Sequence, residues 1–208
     1  MRLFNRSAIA PMVLAMAAIS ATDIAHAGLL DGIRASAGHQ NLATSGGDGA
    51  TCRPEVGFSP EGSAARLVDT AIDSAQRSIR LAAYSFTSPD VVHHLIAAKR
   101  RGVDVAVVVD EKNNLSEDRS GKAHAALNLL VNAGIPTRTI RVYPIHHDKY
   151  AVIDGTDLET GSFNYSAAAA SRNSENAMVL WHCQEMAKAY LNHWQSRWDQ
   201  GSDFHSTY

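Results

Sequence analysis

The sequence carries almost no net charge, only two cysteines, and no apolar run long enough to span a bilayer. A formal charge of -2 over 208 residues excludes a basic protein that coats nucleic acid with its whole surface. An anionic partner must instead be caught by a local cluster of side chains. Cys52 and Cys183 cannot build a disulfide framework. Their positions suggest one thiol in a linker and one packed in the domain, with a bond between them left open for a chain in an oxidising compartment. The longest uncharged apolar stretch, Ala8 to Ala21, falls short of the ~20 residues a membrane-spanning helix needs. No internal repeat is visible, so any short chemical motif occurs once per chain.

What is present suits one domain with a sizeable core, at 45% hydrophobic and 19% charged residues. Residues 1–27 read as a signal peptide: Arg2 and Arg6 precede the apolar stretch, and Ala25-His26-Ala27 supplies a small-x-small cleavage pattern. The expected product is exported, periplasmic or secreted, and not stably associated with a membrane after cleavage. Residues 28–53, rich in Gly, Ala, Ser and Thr, read as a flexible linker. Residues 54–208 form the expected domain.

Within that domain strands and helices alternate. "EVGFSP" reads as a strand, with Ser59 capping a helix that has Pro60 in its first turn and buries Leu67, Val68, Ala71, Ile72 and Ala75. "SIRLAAYSF" is a strand, and Ser88-Pro89 opens a helix ending at Gly102. His93 and His94 lie on that helix and face solvent or a helix partner. "VDVAVVVD" is apolar enough for a strand covered on both faces. A helix near 123–133, a strand at "PTRTIRVY", a strand near Glu175–Trp181 and a tryptophan-bearing last helix follow. The order predicts an α/β/α sandwich with a largely parallel mixed sheet. The tryptophans of the last helix are expected in its packing face.

Candidate chemistry concentrates in "IHHDKYAVIDGTDLETGSFNYS". On a strand, His147 and Lys149 would share one face, while His146 and Asp148 would face the other way. Asp154-Gly155 reads as a turn, and Ser162 and Asn164 on the return would again share a face. A hairpin would gather an imidazole, a cation and two neutral donors, a set suited to holding and attacking a phosphate diester. A metal centre at His146-His147 is not expected, because it needs at least three convergent ligands.

The spacing His147-x-Lys149-x4-Asp154-x6-Gly161-Ser162-x-Asn164 resembles the HKD signature of the phospholipase D superfamily. The likeness extends over about residues 55 to 208, through "GFSPEGSAARLVDTAIDSAQRSIR", "AYSFTSPD", "ETGSFNYSAAAASRNSENAMVLW" and "HWQSRWDQGSDFHSTY", and is strongest to short exported bacterial endonucleases of that superfamily. Cys183 has no counterpart in the resemblance. The resemblance implies a metal-independent phosphodiesterase with no cofactor. His147 would be a nucleophile forming a phosphohistidine, Lys149, Ser162 and Asn164 would bind phosphate, and Glu175 would orient the histidine. Asp154 completes the signature and belongs with the catalytic set by motif, although its role looks structural. Such a mechanism needs a second imidazole to protonate the leaving group, and an ordinary imidazole titrates near ~6.5, which suits both tasks. One motif per chain therefore predicts a homodimer with two His147 rings at one phosphate. DNA, or RNA, is the expected substrate. The alternatives are a phospholipase D acting on lipid diesters, although no amphipathic segment rich in Lys and aromatics marks a membrane-docking surface, and a nucleic-acid-binding protein without catalysis.

Overall fold

The structure is a computed structural model that describes residues 51–207. The expected signal peptide lies outside the described residues, as does the expected linker up to residue 50. The elements are β1 (Arg53–Ser59), α1 (Ser63–Ser74), β2 (Ser78–Ala83), α2 (Pro89–Arg100), β3 (Asp104–Asp110), a π-helical turn (Lys112–Glu117), α3 (Lys122–Asn132), β4 (Thr137–Ile140), β5 (Lys149–Ile153), β6 (Asp157–Gly161), α4 (Ala167–Ser171), β7 (Glu175–Trp181), α5 (Gln184–Gln200) and β8 (Ser202–Asp203).

The strands form one mixed sheet in the order β1-β7-β6-β5-β2-β3-β4-β8. The expectation of a largely parallel sheet holds only for β2-β3 and β3-β4; every other pairing is antiparallel. For β5 and β6 the reason is connection length. β5 and β6 are joined by a three-residue turn, Asp154 to Thr156, and so short a link can join only antiparallel neighbours.

The side-chain alternation of β3 shows why the sheet is a middle layer. Val105, Val107 and Val109 join the core under α1–α4, whereas Ala106 and Val108 join the core under α5. The α1 residues expected to be buried are buried. Ser88 caps α2 by accepting the Val91 amide at 3.4 Å, and His94 meets Asp73 of α1 at 2.8 Å. Trp194 is in the core, donates to Leu81 O at 2.9 Å and stacks on Trp198.

Three local readings differ. Ser59 does not cap α1, because it pairs with Glu175 in the β1–β7 ladder; α1 starts at Ser63, preceded by Gly62 in the left-handed region. The strand expected at "PTRTIRVY" stops at Ile140. Cys52 and Cys183 are not separate thiols but a disulfide, with Cα atoms 4.6 Å apart and a sequence separation of 131. Cys52 precedes the edge strand β1, and Cys183 caps α5 just after its partner β7, so strand pairing delivers the two thiols to each other.

Beneath the sheet end that follows β2, Phe86 and Tyr165 form an isolated bridge, and the Tyr165 hydroxyl donates to the fully buried Glu159 at 2.6 Å. Burial pushes the Glu159 carboxyl up to about 8, against the lowering effect of that hydrogen bond.

Two predictions follow from these contacts. Cys52→Ser should cost about 2–4 kcal/mol in denaturant unfolding, and dithiothreitol should bring the wild type down to the same level. The neutral Glu159 carboxyl contributes stability that is complete below its ordinary value of 4.5 and is lost as pH rises through about 8. Urea titrations between pH 5 and 8.5 should therefore show the stability difference moving in favour of Glu159→Gln as pH rises.

Candidate active site at one end of the sheet

The site is assembled where β2 ends, β5 begins, β6 ends and β7 begins. Lys149 is the first residue of β5 and pairs with Ala83 near the end of β2. Gly161, the last residue of β6, pairs with Ala177 of β7. A Cβ on Gly161 would come within 2.3 Å of Asn176 O, so the two strands approach this closely only because residue 161 is glycine.

His147 is not on a strand. It lies in the loop before β5, exposed, with its ring 4.6 Å from that of Tyr84. It still lines one cavity together with Lys149, so the expected juxtaposition arises without the expected strand geometry. His146 turns inward and is buried. Its amide donates to Asp110 Oδ2 at 2.7 Å, and its Nδ1 lies 3.3 Å from Asp148 Oδ2. Burial holds its imidazole below the ordinary value, against the opposing pull of Asp148 and Asp110.

Lys149 is 8% exposed and donates to the His147 carbonyl at 3.0 Å, with Nζ 5.1 Å from the Tyr84 ring centroid. Burial lowers its pKa, against the attraction of Glu175 and Asp148. A desolvated ammonium with a single neutral hydrogen-bond acceptor among the described residues suits capture of an anion.

Ser162 Oγ donates to Glu175 Oε2 at 2.7 Å and accepts the Asn176 amide at 3.0 Å. Asn173 Nδ2 donates to the other Glu175 oxygen at 2.9 Å. Asn164 follows two residues later, and its Oδ1 is buried without a hydrogen-bond partner among the described residues.

Asp154 does not join this group. It sits at the far end of β5, roughly 17 Å along the strand at ~3.3 Å per residue. Its carboxylate accepts the amides of Gln76, Arg77 and Ser78 at 2.7–2.9 Å. Burial opposes ionisation, but those backbone hydrogen bonds outweigh it and hold the carboxyl below the usual range. Asp154 adopts φ 55, the left-handed turn conformation that Asp tolerates. Its place in the catalytic set is corrected: it ties the β5–β6 turn to the start of β2.

Sequence reasoning missed the residues that hold the site. Asp110 accepts the amides of Asn113 and His146. Asn114 accepts the Phe86 amide and donates to the carbonyls of Tyr84 and Asp110. A carboxylate closing the apolar run of β3 was a usable signal for Asp110; Asn114, in a polar loop sequence, had none. Tyr84 and the α5 residues Tyr190 and His193 also escaped notice, because only folding brings them to His147.

Fold and site together define an α/β/α protein with an imidazole and a desolvated ammonium sharing one cavity at a sheet end. The family described as "Cardiolipin synthase, PLD-like domain" matches residues 68–198, and the chain belongs to this phospholipase D-like family. The crystal structure of Nuc from Salmonella typhimurium, a phospholipase D family member, is 51% identical, covers 75% of this chain and 100% of its own, and superposes with a TM-score of 0.72. A protein named phospholipase D from Rickettsia conorii is 34% identical over 140 residues, spanning 67% of this chain and 66% of the relative. The mitochondrial cardiolipin hydrolase of Xenopus laevis is 31% identical over 126 residues, spanning 61% of this chain and 57% of that protein.

A stability–activity comparison separates Asp154 from the rest of the motif. Asp154→Ala should cost about 2 kcal/mol in unfolding free energy, the scale of a lost charged acceptor at a partly exposed site. Turnover by the folded variant should stay within about threefold of wild type at a temperature well below its melting point.

Proposed function

We propose that the protein is an exported, metal-independent phosphodiesterase that cleaves DNA, with RNA as a second candidate substrate, through a phosphohistidine formed in a homodimeric site. The observation that carries this reading is that one cavity is lined by both His147 and Lys149, in a chain 51% identical to the whole of Nuc.

The neutral His147 ring attacks phosphorus, forming a P–N bond as the P–O bond to the leaving group breaks. Lys149 and the Asn164 amide hold non-bridging oxygens, where negative charge develops. Ser162 fixes Glu175, and Glu175 orients and stabilises the cationic imidazole. The leaving oxygen takes its proton from the partner subunit's His147. Water then attacks phosphorus and gives up a proton to that same imidazole, the P–N bond breaks, and both rings return to their starting states.

The loop leading into His147 exposes Val142, Tyr143 and Ile145. Such an apolar rim beside an incomplete site suits closure by a second copy. The same rim favours the second reading, a phospholipase D touching a lipid surface, to which the rickettsial relative's name also points. The Cys52–Cys183 disulfide supports export to an oxidising compartment. No helix among the described residues is long and apolar enough to cross a membrane.

Plasmid DNA and phosphatidylcholine vesicles, each incubated with the protein in EDTA, provide the test. Plasmid should be cut, and His147→Ala should abolish cutting by more than the ~10²–10⁴-fold of acid–base help alone. Sedimentation should show a dimer. Retained activity in His147→Ala, or loss of wild-type activity in EDTA, would overturn the reading, and vesicle hydrolysis without plasmid cutting would favour the lipid enzyme.

A further inference from the structure

The α5 wall of the His147 cavity takes no part in the chemistry above. The cavity has a volume of about 470 Å³ and is closed on that side by Ala189, Tyr190 and His193. A phosphate fills little of such a space; cavities of this size hold whole organic groups.

Tyr150 of β5 is 3% exposed, and its hydroxyl lies 2.9 Å from His193 Nδ1. A buried hydroxyl hydrogen needs an acceptor, and among the described residues Nδ1 supplies it. Were Nδ1 to carry the only ring proton, that hydrogen would be left without one. With Nδ1 as that acceptor, a neutral His193 ring carries its proton on Nε2. Burial, with Asp148 adding to it, keeps the Tyr150 hydroxyl protonated far above neutral pH. Tyr190 meets Tyr150 edge to face at 4.9 Å between centroids, which holds its ring at the cavity wall. Asp148 stands 3.8 Å from His193 Nδ1 and 3.3 Å from His146 Nδ1. These side chains do not make a metal shell: no group of three or more His, Cys, Asp or Glu among the described residues is placed to hold an ion.

We propose that Tyr190 and His193 form a nucleoside subsite, which receives one arm of the scissile diester with the Tyr190 ring against the nucleoside and His193 Nε2–H donated to one of its oxygens. This deepens the nucleic-acid reading above and rests on it. A fixed aromatic face accepts any base, because every base has a π-face. A directional donor rewards an oxygen-bearing sugar or base and is left unpaired against a choline head group, which has no acceptor beyond the phosphate.

The experiment compares three p-nitrophenyl esters in EDTA: thymidine 3′-phosphate, thymidine 5′-phosphate and methyl phosphate. They share one leaving group and differ in the remaining arm. For the wild type, KM for one thymidine ester should be at least about tenfold below that of the methyl ester. Tyr190→Ala and His193→Ala should each raise that KM about tenfold and shrink the thymidine-to-methyl preference accordingly, with kcat moving less than KM. Tyr150→Phe, which frees the His193 tautomer, should raise it several-fold. The subsite is overturned if the wild type shows no thymidine preference, if Tyr190→Ala and His193→Ala keep the wild-type preference, or if both esters suffer equally. An unchanged KM in Tyr150→Phe overturns the donor assignment. Phosphatidylcholine hydrolysis by the wild type that Tyr190→Ala or His193→Ala impairs would move the wall to a lipid arm. A wild type that hydrolyses none of the esters sinks the diesterase reading itself, a result distinct from all of these.

Discussion

Two buried side chains at the end of β3, Asp110 and Asn114, hold the site together. Asn114 takes the Phe86 amide and gives its own protons to the Tyr84 and Asp110 carbonyls, while Asp110 takes the His146 amide. The stretch leaving β2 and the loop entering β5 are thereby pinned to one point. Tyr84 and His147 ride on those two stretches, which is why their rings meet. A buried polar network of this kind is costly if any member is lost, since each partner would be left unsatisfied in a low-dielectric interior.

Around that point the electrostatics are local. The whole chain is slightly acidic, yet Lys149 presents an ammonium stripped of most of its water beside the exposed His147. Its charge is supported by Glu175 and Asp148 rather than by a surrounding basic surface. Glu175 is in turn occupied by Ser162 and Asn173. Burial of Lys149 strengthens the interactions of its ammonium, so the positive potential at the cavity is local and not a property of the bulk surface.

Much of the fold was legible in the residues. The core face of α1 followed from spacing alone, since the 3.6-residue period of a helix dictates which side chains share a face, and the coverage of β3 on both faces followed from its continuous apolar run. The Ser88-Pro89 helix start was legible as well, because capping is a local hydrogen bond. Illegible were the features set by long-range pairing. Ser59 had the chemistry of a cap but was claimed by the β7 ladder. The two cysteines looked unrelated until β1 and β7 lay side by side. The sheet's antiparallel majority depends on which strands become neighbours, and element order alone does not determine that. Within the motif, spacing marked six positions as a unit but could not say that Asp154 stands apart from the other five.

By itself, the sequence determined the candidate set: one imidazole, one ammonium, and the serine, asparagine and glutamate of the return segments, at spacings that resemble a phosphate-binding motif. It also determined the elements that carry them, because propensity, capping and periodicity act over a few residues. Only the tertiary structure decided that His147 reaches the cavity from a loop and not from a strand, what desolvates Lys149, and that Tyr190 and His193 of α5 close the other wall. Those outcomes depend on side chains up to a hundred residues apart in sequence, roughly the span from Tyr84 to His193, and contact at that distance is set by sheet order and packing rather than by any local pattern.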